Sequence, residues 1–159
     1  MFEKIRNSIS DVREVREFAS QTMMKVDEAP SFHGYKVFVC DGRCVLTGMS
    51  TRIPGALAMF TPEGEPLIVI NTKMMSMPES FREAVMLHEI GHLVLHKDIR
   101  VTKWSMIKRV FVEPEMEYEA DAYSQAHGGD MITALEEYTK YGAPHIKSRI
   151  KRLKSLINN

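Results

Sequence analysis

His88, Glu89 and His92 stand inside a run of apolar residues, and that combination constrains the chain more than any other feature. Phe81, Ala84, Val85, Leu87, Ile90, Leu93, Val94 and Leu95 recur at the spacing of a largely buried helix, predicted over residues 77–96. Ser76-Met77-Pro78-Glu79 reads as its capping box, with proline in the first turn. Titratable side chains in such a helix cost free energy unless something pairs them. Four residues turn a helix by about 400° and raise it by about 6 Å, so His88 and His92 leave one face, one turn apart. Two neutral imidazole nitrogens so placed can grip one zinc ion. Glu89 points to one side of the first ligand. There it can accept a proton from a zinc-bound water without joining the coordination shell.

A catalytic zinc needs a third protein ligand and an open fourth position. The candidate lies in Glu113-Pro114-Glu115-Met116-Glu117-Tyr118-Glu119-Ala120-Asp121-Ala122-Tyr123. Pro114 opens a helix expected to run to about His127, with Gly128-Gly129 as its stop. Glu113, Glu117 and Asp121 share one face, and Ala120 is small enough to let this helix pack closely on the first. Glu117 is the expected third ligand, with Glu119, then Glu113 or Glu115, as alternatives. Asp121, one turn on, would accept the remaining N–H of a ligating histidine. Glu119 is expected to face solvent and to be dispensable.

A metzincin pattern fails on spacing, because Leu95 and Asp98 occupy the places that need glycine and histidine. His96 reads as a surface or helix-terminal histidine favoured by the dipole. Tyr123, His127 and His145 are the candidates for stabilising a developing oxyanion or touching substrate, and the sequence does not choose among them.

These motifs resemble those of small gluzincin-type zinc metallopeptidases. His88-Glu89-Ile90-Gly91-His92-Leu93-Val94-Leu95-His96, preceded by Ile68-Val69-Ile70-Asn71, is similar to the ImmA/IrrE family. Glu117-Tyr118-Glu119-Ala120-Asp121-Ala122 resembles the Glu-x-x-Ala-Asp-Ala helix of peptidases related to HtpX and the CAAX prenyl proteases. Pro144-His145 and Arg149-Ile150-Lys151-Arg152-Leu153 echo their C-terminal segment, with the Pro-His order reversed. The resemblance covers roughly residues 67–153. It implies a zincin-like α+β fold, one zinc ion per chain, and hydrolysis of peptide bonds in a protein substrate. A repressor-type regulator is the substrate suggested by the ImmA/IrrE likeness. The strand ending at Asn71 would form a cleft edge that binds extended peptide by strand addition, unless it is internal to the sheet. The alternative function is a catalytically silent zinc-fold protein that binds or regulates; an intact Glu89 argues against it.

The rest of the chain is expected to complete a single domain over residues 1–159. A net formal charge of zero argues against a dedicated nucleic-acid binder. No stretch approaches a membrane span, and the charged N-terminus has no apolar run of signal-peptide length, so the expected location is cytoplasmic. Phe2, Ile5, Ile9, Val12, Val15, Ala19 and Met23 predict an amphipathic helix over residues 2–26. Residues 33–71 predict a small twisted, mostly antiparallel sheet. Residues 35–39 and 45–47 would form a hairpin across Asp41-Gly42, and residues 56–60 and 67–70 would flank the turn at 61–64. Cys40 and Cys44 are expected as thiols. A last helix over residues 144–157 carries Ile146, Ile150, Leu153 and Ile157 on one stripe. Its Lys147, Arg149, Lys151, Arg152 and Lys154 are expected to form a solvated face, with His145 and Arg149 nearest the site.

Overall fold

The structure is a computed structural model that describes residues 25–41, 52–60, 65–96, 114–143 and 145–158. Over these residues the fold is α+β, with four strands and five helices. It divides into a sheet unit, up to Ser76, and a helical unit that begins at Met77 and holds the remaining described residues. No helix among the described residues is long and apolar enough to cross a membrane.

The sheet contains β1 (Lys25–Phe32), β2 (Tyr35–Asp41), β3 (Ala56–Phe60) and β4 (Pro66–Asn71), in the spatial order β1-β2-β4-β3. β1 and β2 form an antiparallel hairpin across His33 and Gly34, both at positive φ. β3 pairs antiparallel with β4, as the turn residues at 61–64 predict. β2 and β4 run parallel, which makes the sheet mixed. β4 is thus internal, flanked on both sides, and the expectation that it offers an edge for strand addition is overturned. Its apolar run is the reason: Leu67, Ile68 and Ile70 are all buried, as in a strand covered on both faces.

Asn71 ends β4 and caps α1 (Thr72–Met75), its side chain accepting from the Met74 N–H at 2.9 Å. The same oxygen accepts from Gly55 N–H at 3.1 Å, and Nδ2 donates to the Ile53 carbonyl at 2.7 Å. An almost wholly buried amide is thereby satisfied.

The helical unit contains α2 (Glu79–Leu95), α3 (Pro114–Ala126), α4 (Met131–Thr139) and α5 (Ile146–Ile157). α2 matches the predicted helix, but its capping box does not form. Pro78 is the N-cap with no side-chain bond, and the Ser76 hydroxyl instead donates to the Lys73 carbonyl at the end of α1. Phe81, Ala84, Val85, Leu87, Ile90 and Leu93 are buried, whereas Val94 and Leu95 are exposed. α3 stops where expected, with Gly128 at φ 95° and Gly129 N–H donating to the Ser124 carbonyl at 2.9 Å. The buried Ser124 hydroxyl donates to the Ala84 carbonyl at 2.7 Å, tying α3 to α2. α4 had no predicted counterpart; Asp130 caps it by accepting from Thr133 N–H.

The N-terminal helix up to residue 24, the strand at 45–47, Cys44, the turn at 61–64, Glu113 and Pro144 lie outside the described residues. Lys25 and Val26, the end of that expected helix, belong to β1. Cys40 is buried within β2.

Candidate metal centre

Gly91 sets the separation between the helices that carry the site. A β-carbon there would lie 3.1 Å from both Ala120 Cα and Tyr123 Cβ, tighter than nearly all real contacts. Glycine on α2 facing alanine on α3 therefore lets the two backbones approach. That approach brings Glu117 over the two histidines.

His88 Nε2 and His92 Nε2 are 3.0 Å apart. Glu117 presents Oε2 to His88 Nε2 at 3.5 Å and Oε1 to His92 Nε2 at 3.3 Å. These three residues could hold a metal ion. Two tests of fit agree. Donors about 2.0–2.1 Å from a tetrahedral zinc would be separated by about 3.3–3.4 Å, close to the observed spacings, in which Glu117 faces each histidine with a different oxygen. The donor set, two imidazoles and one carboxylate, also suits zinc or another borderline divalent ion. The histidines are buried, while the Glu117 side chain is 34% exposed, so the centre opens toward solvent on the carboxylate side.

Without an ion, the cluster arranges its own charge. Burial works against a charged His88, but hydrogen bonds and attraction to Asp121 and Glu117 outweigh it and raise its pKa to about 9. Burial depresses His92 to about 4; the Glu117 hydrogen bond opposes this, and repulsion from His88 adds to it. Glu117 is held well below the usual carboxylate range, because its bonds to both histidines outweigh its own burial. At neutral pH the pair thus carries its proton on His88.

Asp121 lies beside His88. Its Oδ1 lies 2.8 Å from His88 Nδ1, but off the direction of the ring N–H, leaving that nitrogen without a well-directed partner. Arg149, from α5, takes both Asp121 oxygens: Nε donates to Oδ2 at 2.8 Å and Nη2 to Oδ1 at 2.6 Å. Its Nη1 also lies 3.2 Å from Glu117 Oε2. Burial alone would raise the Asp121 pKa; Arg149 and His88 together lower it.

Glu89 directly follows His88 in sequence and is buried, and its charge acts on His92 and on the phenol of Tyr138. Tyr138, from α4, went unnoticed in the sequence because only the folding of α4 brings it near Glu89. Its pKa is raised, first by burial and then by Glu89.

The remaining sequence candidates have partners other than the triad. Tyr123 stacks on His127 with ring centroids 3.9 Å apart, and His127 Nδ1 donates to the Tyr123 carbonyl. His145 begins α5 in a left-handed conformation at φ 62° and is exposed. Among the described residues none of these three forms a hydrogen bond or ion pair with His88, His92 or Glu117.

Two residues have partners beyond those expected from the sequence. His96 is the C-cap of α2, a helix-terminal histidine as expected, but its side chain is only 9% exposed and its Nδ1 lies 3.1 Å from His92 Nδ1. Glu119 faces solvent as expected, 58% exposed, and its Oε2 also pairs with His96 Nε2 at 2.8 Å. The signal was present in the spacing: His96 is four residues after His92 and therefore on the same helical face.

Lys147, Lys151, Arg152 and Lys154 of α5 are exposed, as expected of a solvated face, whereas Arg149 is partly buried. Arg152 forks onto Glu115 and covers the Tyr118 ring at 4.4 Å, and Lys154 pairs with Glu136. Comparisons with protein-family models, with curated proteins and with solved structures return no match to this chain.

Proposed function

We propose that this chain is a zinc-dependent peptidase of gluzincin type with a zincin-like fold, holding one zinc ion through His88, His92 and Glu117. The observation that carries the reading is the convergence of those three donors at mutual spacings of 3.0–3.5 Å with Glu89 adjacent in the same helix. A structural site has no use for a base, whereas a hydrolytic site needs one. When bound, zinc supplies Lewis acidity: it makes water acidic and polarises a carbonyl.

The chain's own residues supply the rest. Glu89 acts as general base, takes the proton of the attacking water and passes it to the leaving amine. Its burial keeps that carboxylate out of bulk water, so its charge is less screened and acts more strongly. Asp121 orients the His88 ring, and Arg149 orients Asp121. The exposed flank of Glu117 gives the direction from which a peptide would approach. A protein substrate, and specifically a repressor-type regulator, follows from the resemblance to the ImmA/IrrE family rather than from the donor geometry.

The test is Glu89→Gln in the full chain, with peptide-library cleavage read by mass spectrometry. The variant should retain metal and lose about 10²–10⁴-fold in turnover. Chelator-insensitive cleavage, or wild-type turnover in Glu89→Gln, would remove the proposed mechanism. Stoichiometric metal in a wild type that cleaves nothing would favour the silent binding protein.

A further inference from the structure

The two ring nitrogens of His92 have different neighbours. Nε2 faces Glu117 Oε1 at 3.3 Å and His88 Nε2 at 3.0 Å. Nδ1, on the far side of the ring, faces His96 Nδ1 at 3.1 Å. His96 Nε2 in turn lies 2.8 Å from Glu119 Oε2. His96 therefore stands behind His92 and not among the three converging donors.

With His96 neutral and a metal in place of the proton between His92 Nε2 and Glu117, hydrogen-bond direction along this row follows from its last member. An ionised carboxylate only accepts, so His96 Nε2 carries the proton that Glu119 accepts. A neutral His96 then has a lone pair on Nδ1. That lone pair can accept only if His92 bears its proton on Nδ1. His92 is left with its lone pair on Nε2, the nitrogen aimed at Glu117 and His88. Each step leads to the next, and the result is the tautomer a metal ligand needs.

We propose that His96 and Glu119 are positioning residues of the metal centre, selecting the tautomer and ring angle of His92 as Asp121 does for His88. The inference rests on His88, His92 and Glu117 being a metal site and says how its second imidazole is prepared. The two supports are unlike. Asp121 is buried and clamped by Arg149, while the Glu119 side chain is 58% exposed. Each histidine thus has a carboxylate behind it, and both carboxylates come from α3, which also carries Glu117.

The test is metal affinity, measured without reference to turnover. The metal-free full chain is titrated with Zn²⁺ against a chromophoric chelator, and the Co²⁺ absorption spectrum is recorded. Variants are Glu119→Ala, Glu119→Gln and His96→Phe, with Glu115→Ala as a control on the same helix. Glu119→Ala and His96→Phe should bind about 10–100-fold more weakly and shift the cobalt bands. Glu119→Gln should stay near wild type, because its amide oxygen still accepts from His96. Unchanged affinity and spectrum in both Glu119→Ala and His96→Phe, with metal lost in His88→Ala, would overturn the relay alone. A loss in Glu119→Gln equal to that in Glu119→Ala would replace tautomer selection by simple charge, which also overturns it. Should His96→Phe not fold, the exposed Glu119 decides the matter. If wild type and His88→Ala bind metal alike, the centre itself falls and the relay with it.

Discussion

Arg149 holds both carboxylate oxygens of Asp121, at 2.8 and 2.6 Å, and does so from a helix that supplies none of the three converging donors. The Asp121 side chain is only 1% exposed and that of Arg149 only 16%. A buried ion pair contributes less than its attraction suggests, but breaking one side leaves an uncompensated charge.

Arg149→Ala should therefore destabilise the metal-free protein by about 3–5 kcal/mol, read by urea unfolding in chelator. Arg149→Lys should recover only part of this, because an ammonium cannot fork onto two oxygens. Asp121→Asn should be milder than Asp121→Ala in metal retention, since an amide oxygen can still accept from His88. Equal stability of Arg149→Ala and wild type would mean the pair is an exposed contact in solution.

The protonation of the triad gives a signed pH dependence. His88 is raised from 6.5 to about 9, so its contribution to metal-free stability is fully present below pH 6.5 and is lost as pH rises through 9. His92 is lowered to about 4, so stability also falls as pH drops from 6.5 toward 4. Metal-free stability from these groups should peak near pH 6.5, with slopes of up to about 1.4 kcal/mol per pH unit. Metal must displace the His88 proton, so its affinity should rise by up to about tenfold per pH unit between 6.5 and 9. Calorimetric titration in buffers of different ionisation enthalpy should find about one proton released near pH 7.5. A pH-independent affinity would mean that His88 is neutral before metal arrives.

His88→Ala, His92→Ala and Glu117→Ala should each lower metal content from one ion per chain, measured by elemental analysis after dialysis. Glu117 contributes the most exposed of the three donors, so its loss should leave a weaker two-histidine site. Undiminished metal in Glu117→Ala would move the third ligand to another carboxylate, Glu119 first.

Gly91→Ala adds one methyl group where α2 and α3 touch, 3.1 Å from Ala120 Cα and Tyr123 Cβ. The helices must part by a few tenths of an ångström, costing about 1–3 kcal/mol. Because α3 carries Glu117, the same change should loosen metal binding. Wild-type thermal stability together with wild-type metal affinity would show that this contact is softer than its spacing implies.

The helix Glu79–Leu95 was legible because its pattern is local: burial, helical period and the four-residue histidine spacing all lie within residues 77–96. Glu117 and Asp121 were legible for the same reason, being one turn apart on a second helix. The strand Lys25–Phe32 was not. It mixes Asp27, Glu28 and Pro30 into an edge strand, where exposure tolerates charge and proline tolerates a missing ladder bond. The parallel pairing of Tyr35–Asp41 with Pro66–Asn71 was hidden too, since it joins segments about thirty residues apart with another strand between them in sequence. Arg149 was singled out only by its place in a motif, and its grip on Asp121 depends on α5 docking against α3. The burial of His96 was not legible, because a helix end suggests exposure and its partner Glu119 arrives from a different element.

Asn71 Oδ1 accepts from two amides, Gly55 N–H and Met74 N–H, which belong to segments on either side of β3 and β4. One side-chain rotation would release both together, along with the Ile53 carbonyl. Hydrogen exchange at these two amides should accordingly be governed by a single opening event, with matched protection that collapses jointly in Asn71→Ala. Independent exchange rates would show that the sheet end and the short helix after it come apart separately.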